Sequence, residues 1–199
     1  MAEVSIEQIK RLRELTGVGI TDAKAALVDA SGDFDKALAA MRKKGLTKAE
    51  ARSEREARSG LIGSYVHEGR IGVLVEVNCE TDFVAKTDEF KSLVNDICLH
   101  IAASAPEYVS AEEVPAAARK TVQAEFTEKA KSDGKPADMV NQIVEGQLSK
   151  YFEQKALLGQ PFVKDPGITV GEYVKQSMAK LGENIVIRRF RRFVLGEVN

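Results

Sequence analysis

"LIGSYVHEGRIGVLVEVNCETDFVAK", residues 61–86, decides how this chain is read. Two runs rich in β-branched and aromatic residues, "LIGSYVHEG" and "RIGVLVEVN", are joined by the short polar tip His67-Glu68-Gly69-Arg70, so a β-hairpin is expected. Straight after the second strand comes "NCETDFVAK" (Asn78 to Lys86), in which Asp82 and Phe83 stand side by side and Glu80 precedes them by two residues. Spacing alone leaves two readings. Asp82 is a turn or cap residue and Phe83 belongs to the core, or the strand end presents an acid and an aromatic outward.

Outward from the hairpin the period changes from two to about 3.6, the helical repeat. Asp88 is placed to cap a helix whose stripe is Phe90, Leu93, Val94, Ile97, Ile101 and Ala102, with Pro106 ending it. "SAEE" from Ser110 has capping-box spacing. Helices are expected around 116–132 and 137–155, separated by "DGKP" (133–136), because glycine and proline punctuate helices. "GQPF" and "DPG" read as loop, and Thr169 with Glu172 forms a second capping box before a helix carrying Val174, Met178 and Leu181. "GEN" (Gly182 to Asn184) turns the chain into a final strand, "IVIRRFRRFVL". Two local strands and one returning from the far end make an α+β pattern: a small antiparallel sheet of about three strands covered by helices.

Upstream, the first 45 residues read as three short helices. Ile6, Ile9, Leu12 and Leu15 recur at helical spacing, and "TGVG" (Thr16 to Gly19) breaks the pattern. Thr21 or Asp22 is expected to cap a second helix with the stripe Ala23, Ala26, Leu27 and Ala30. Asp33 caps a third, with Phe34, Ala37, Leu38 and Met41 inward and Gly45 as its end. The small residues suit close helix crossings. Residues 47–59, "TKAEARSEREARS", are charged on nearly every side, as helices that bridge domains are. The expected division is a three-helix module over 1–46, a charged linker helix over 47–59 and an α+β core over 60–199.

Composition sets limits. Acids (30) and bases (29) nearly cancel, so no whole-chain field draws the protein to nucleic acid or an anionic membrane. An apolar share of 44% supports a packed core. No run approaches the roughly 18 apolar residues of a membrane span. "MAEVSIEQIKRL" lacks the continuous apolar core of a signal peptide. The two cysteines, Cys79 and Cys98, make no disulfide framework, which fits a reducing, cytoplasmic compartment.

Chemistry-bearing patterns are sparse. Cys79, Cys98, His67 and His100 number four, but they lack zinc-site spacing, and Cys98 sits in an apolar helix like a small core residue. Cys79 could approach His67 across the hairpin, yet no orienting third group is recognisable. "TGVG" follows a helix and matches neither nucleotide-loop pattern. "RRFRRF" (Arg188 to Phe193) mixes bases with aromatics as single-strand nucleic-acid binders do, while the charge balance favours a half-buried strand with outward arginines. An RNA-binding, ribosome-associated protein is the competing reading from this pattern.

"LRELTGVGITDAKAAL" (Leu12 to Leu27) and "EVNCETDFVAK" (Glu76 to Lys86) closely resemble the two signatures of bacterial elongation factor Ts. "GSYVHEGRIGVLVE", "HIAASAPEYVSAEE", "GQPFVKD" and "GENIVIRRF" resemble that family too, in family order from near residue 5 to near 195. Ala25, where the family usually has a polar residue, is a small departure. The resemblance implies a ubiquitin-associated-like helical module followed by an α+β core. It also implies a guanine-nucleotide exchange factor that binds elongation factor Tu·GDP and promotes GDP release, without enzymatic chemistry, cofactor, metal or direct nucleic-acid contact. By position, it implies partner contacts at Lys24, His67, Thr81, Asp82, Phe83, Val84, Leu181 and Gly182. Asp82 and Phe83 match the acid and aromatic that intrude near the partner's magnesium site. Long family members duplicate the core and add a C-terminal helical module. With a single core, this chain is expected to act as a homodimer joined through its sheets. Some short members carry a cross-linking cysteine in the last strand where this chain has Arg191.

Overall fold

The computed structural model describes residues 4–16, 18–134, 136 and 139–197, with backbone alone over 46–50. Three helices come first: α1 (Ile6–Thr16), α2 (Ile20–Asp29) and α3 (Phe34–Glu50). The hairpin strands β1 (Ser59–His67) and β2 (Ile71–Cys79) follow, then the one-turn helix α4 (Asp82–Ala85) and the long α5 (Asp88–Ser104). Next are α6 (Ala116–Ser132), α7 (Val140–Lys155), the short strands β3 (Pro161–Phe162) and β4 (Asp165–Thr169), α8 (Val170–Leu181) and β5 (Ile185–Val194).

The hairpin registers His67 opposite Ile71 and Ser59 opposite Cys79. Its tip places Glu68 at φ 49° and Gly69 at φ 69°, the paired positive values of a type I′ turn whose twist matches that of the flanking strands. β5 pairs antiparallel with the other side of β2, giving the order β1-β2-β5. The fold is therefore α+β, as the periodicity implies.

One sheet face is buried. Val73, Val75 and Val77 of β2, with Ile185 and Ile187 of β5, pack against Phe90, Leu93, Val94, Ile97 and Ile101 of α5. Gly63 makes this approach possible, since a Cβ there would lie 2.3 Å from Val94 Cγ1 and 2.9 Å from Cys98 Sγ. Cys98 is accordingly a packed core thiol. Arg192 reaches past the sheet to donate to the Ala102 carbonyl in the last turn of α5, where a cation complements the helix dipole. The N-terminal helices bury their own cluster of Leu12, Ala23, Ala26, Leu27, Ala37 and Met41. α6 and α7 form a helical hairpin around Ala130, Val140 and Val144.

Several local expectations are corrected. α3 does not end at Gly45 but continues to Glu50. Residues 51–55 are turns, so no single helix spans 47–59. Gly45 is instead a crossing point: a Cβ there would lie 3.2 Å from Ala179 Cβ of α8. Gly17 of "TGVG" lies outside the described residues, as do the side chains of 46–50 and positions 137 and 138 at the expected start of α7. α2 starts one residue before Thr21, with Gly19 at its N-cap and no side-chain cap. Thr87, not Asp88, caps α5, because its hydroxyl reaches the Phe90 amide at 3.2 Å. Ser110 makes no capping bond. Ile6 and Leu15 of the α1 stripe face outward. "GQPF" and "DPG" form the ribbon β3–β4 rather than loop. The Thr169–Glu172 capping box and the Asp33 cap of α3 are both present.

Candidate functional site

β2 ends at Cys79, whose buried thiol donates to the Thr81 carbonyl at 3.1 Å. Burial pushes that thiol up to about 11, and burial alone does the same for Cys98, so neither is a ready thiolate. His67 is at the opposite end of the hairpin, eight register positions or about 26 Å away, so no Cys79–His67 pair forms. Among the described residues no three His, Cys, Asp or Glu side chains converge as a metal site would require.

Thr81 caps the one-turn helix α4 by accepting from the Val84 amide at 3.4 Å. The helix then divides its short sequence by side. Ala85 is buried and Val84 packs on the core, whereas Phe83 is 79% exposed, and Asp82 is exposed beside it. Of the two readings that spacing leaves open, the exposure of Phe83 excludes the core one. Asp82 pairs with Lys86 one turn later at 2.7 Å, and the hydrogen bond and charge of that ammonium hold its carboxyl below the usual range.

Two carboxylates fix this tip from beneath. Glu183 accepts from the Thr81 amide at 3.0 Å and from the Thr81 hydroxyl at 2.6 Å. Glu80 accepts from the Asn184 amide at 2.6 Å. Its role is therefore long-range and not confined to its own turn. Asn184 donates in turn to the carbonyls of Ser53 and Arg55 at 3.2 and 2.5 Å. Gly182, in the left-handed conformation at φ 80°, ends α8 at this corner.

Thr81, Asp82, Phe83 and Val84 are thus contiguous at α4, and the end of α8 at Leu181 and Gly182 is tied to them through Glu183. His67 is held apart at the hairpin tip, with Nδ1 3.0 Å from the Tyr65 hydroxyl. Lys24 lies on the outer face of α2, between the exposed Ile20 and Val28 four residues to either side. Those two apolar residues were missed in sequence, although their i, i+4 spacing around Lys24 was visible. The "RRFRRF" stretch is engaged within the sheet: Arg189 pairs with Glu76 at 2.8 Å and Arg188 donates to Asn78 at 3.4 Å.

A family model described as Elongation factor TS matches residues 22–197. The chain is 49% identical over 195 residues to an elongation factor Ts of Thermoanaerobacter sp. (strain X514), covering 98% of this chain and 96% of that relative. It is 50% identical over 194 residues to one of Herpetosiphon aurantiacus, with coverage of 97% and 98%. To one of Fervidobacterium nodosum it is 48% identical over 196 residues, covering 98% of this chain and the whole relative. The match runs through the hairpin, the exposed tip and the corner that supports it, and on it the chain belongs to the elongation factor Ts family.

Proposed function

We propose that this translation elongation factor binds elongation factor Tu·GDP and promotes GDP release, acting in the cytoplasm as an exchange factor that makes and breaks no covalent bond. The observation that carries the reading is Phe83: a large apolar side chain, 79% exposed, on a one-turn helix whose neighbours are packed or bonded. Such a side chain is suited to burial in a partner. Moving a Phe ring from water into a protein pocket is worth about 1.5–3 kcal/mol. Asp82 stands next to it with a partner it can exchange, since the Lys86 pair is solvent-exposed and such pairs are weak.

In this mechanism Phe83 wedges between helices of the nucleotide-binding domain and Asp82 engages the polar network next to it. The phosphate and magnesium ligands shift, and GDP is held less tightly. Coupling is reciprocal, so GDP weakens the factor by the same amount and incoming GTP displaces it. Lys24 would hold the N-terminal module on the partner, and Leu181 with Gly182 would extend the contact around the tip.

Placement of His67 at the far end of the hairpin, about 26 Å from the Cys79 end that leads into the tip, supports a homodimer in which one copy offers the hairpin end and the other the tip. The face of the sheet away from α5 carries exposed Ile62, Val66, Leu74 and Phe193, a surface suited to joining two sheets. The membrane has no part in this reading. Among the described residues no helix is long and apolar enough to cross one.

Release of a fluorescent GDP from elongation factor Tu, followed with and without this chain, tests the proposal. Acceleration at substoichiometric amounts of the chain is expected. An unchanged release rate at saturating chain would sink it.

A further inference from the structure

We infer that Glu183 is the positioning residue for the exposed tip: its carboxylate sets the Thr81 hydroxyl and thereby the orientation of Asp82 and Phe83. The inference rests on the proposed exchange activity of that tip.

α4 has four residues, too few to be stable by its own hydrogen bonds. Its first-turn amides need outside acceptors, and its direction must be imposed. Thr81 supplies one acceptor, to Val84. A hydroxyl has a single proton and two lone pairs, and it rotates to suit its surroundings. Glu183 takes that proton at 2.6 Å, which turns the lone pairs of Thr81 towards the Val84 amide. The second oxygen of the same carboxylate takes the Thr81 amide at 3.0 Å. One side chain therefore fixes both the backbone and the rotamer of the capping residue. Hydrogen bonds to an ionised carboxylate are about twice as strong as neutral ones.

Glu183 is itself held. It lies between Gly182, at a positive φ only glycine adopts readily, and Asn184, which is buried. The Asn184 amide is held by Glu80, immediately before Thr81. The two segments thus exchange carboxylate-to-amide bonds in both directions, although 102 to 104 residues separate them in sequence. The result couples the Leu181–Gly182 corner to the Asp82–Phe83 tip as one unit. Phe83 is 79% exposed, so its direction depends chiefly on the backbone that carries it.

The test compares Glu183→Ala, Glu183→Gln and Phe83→Ala in the full chain. Amide hydrogen exchange at Thr81 and Val84 reads the support directly. GDP release from elongation factor Tu, at varied chain concentration, reads its consequence. Glu183→Ala is expected to speed exchange of the Thr81 and Val84 amides at least about tenfold. It should lower the maximal release rate about tenfold, while the half-saturating concentration stays within about twofold because the other contacts remain. Glu183→Gln keeps one acceptor and should restore part of both. If either variant with lost amide protection releases GDP at the parent maximal rate, or if protection is unchanged in Glu183→Ala, the positioning role is overturned. Normal release by Phe83→Ala would instead overturn the wedge reading itself, whatever the amides show. Should Glu183→Ala not fold, the Gln variant decides by the same two readouts.

Discussion

Gly45 of α3 faces Ala179 of α8 so closely that a Cβ on Gly45 would lie 3.2 Å from the Ala179 Cβ. This crossing joins the N-terminal helices to the core before the chain reaches the hairpin. Arg52 adds a long contact, donating to the Met178 carbonyl at 3.5 Å. What reads in sequence as a helix end followed by a charged tether is thus, in its first turns, a packed junction. The expected division into a module over 1–46, a linker over 47–59 and a core over 60–199 stands as a proposal, and the junction gives it a test.

Substitution at Gly45 separates packing from propensity. Gly45→Ala gains about 1 kcal/mol of helix propensity but adds a methyl at a tight contact, so the net change should be small. Gly45→Leu cannot fit without displacing α8 and should cost about 1–3 kcal/mol. Thermal unfolding checks both. The Leu variant should also expose the 51–58 segment to limited proteolysis. Equal proteolysis of the Leu variant and the parent would show that the junction does not hold the module.

Phe83→Ala tests the wedge. Because the ring is exposed, the melting temperature should change by no more than about 1 °C, as for surface substitutions without special contacts. Loss of about 1.5–3 kcal/mol of burial against the partner predicts GDP release slowed about 10- to 150-fold. Stopped-flow release together with calorimetry of the free chain decides the matter. A large loss of stability would return Phe83 to the core.

How far the sequence carried this reading depends on the range of the interaction. The hairpin and α5 were legible because β-branched runs around a Glu-Gly tip, and Phe90, Leu93, Val94, Ile97 and Ile101 at helical spacing, are local patterns with one physical meaning. Gly45 was misread because glycine looks the same whether it ends a helix or admits a neighbour. Ile6 and Leu15 fit the α1 stripe but are exposed, since period alone does not say which apolar residues a short bundle can cover. β3 is two residues long and starts at a proline, so it has no period to find. At the candidate site, the acid–aromatic pair was visible as a pair, but its exposure was not. The supports at Glu80 and Glu183 were invisible because their partners lie about half the chain away.

His100 makes stability depend on pH. The ring is fully buried, its Nδ1 accepts from the Val163 amide at 3.2 Å, and the other nitrogen meets Gln160 Oε1 at 2.9 Å, which fixes the neutral tautomer. Burial holds its pKa below the ordinary 6.5. The unfolded chain therefore binds the proton first as pH falls. Stability is full above about pH 6.5 and declines below it, by at most about 1.4 kcal/mol per pH unit, until the folded ring also protonates. Denaturant titrations between pH 7.5 and 5 should show this slope. His100→Gln should be less stable at pH 7.5 but flatter across that window. An unchanged slope in the variant would assign the effect elsewhere.

The open face of the sheet tests the homodimer. Ile62, Val66, Leu74 and Phe193 are exposed there, interrupted by the Glu76–Arg189 pair and by Arg191, which stands opposite Leu74. If two sheets meet on this face, a charge at Phe193 must be buried without a partner, which is costly. Phe193→Glu should then shift the chain from dimer to monomer in light scattering at micromolar concentration. Arg191→Cys probes the same contact from the other side. A disulfide needs Cβ atoms about 3.5–4.5 Å apart, so cross-linking under mild oxidation would bring the two last strands into register across the symmetry axis. A parent chain that is monomeric, or a Phe193→Glu variant that stays dimeric, removes this face as the interface. A monomeric parent would further require His67 and the tip to reach the proposed partner from a single copy, or the His67 contact to be given up, whereas a variant that stays dimeric would place the meeting of the two copies elsewhere.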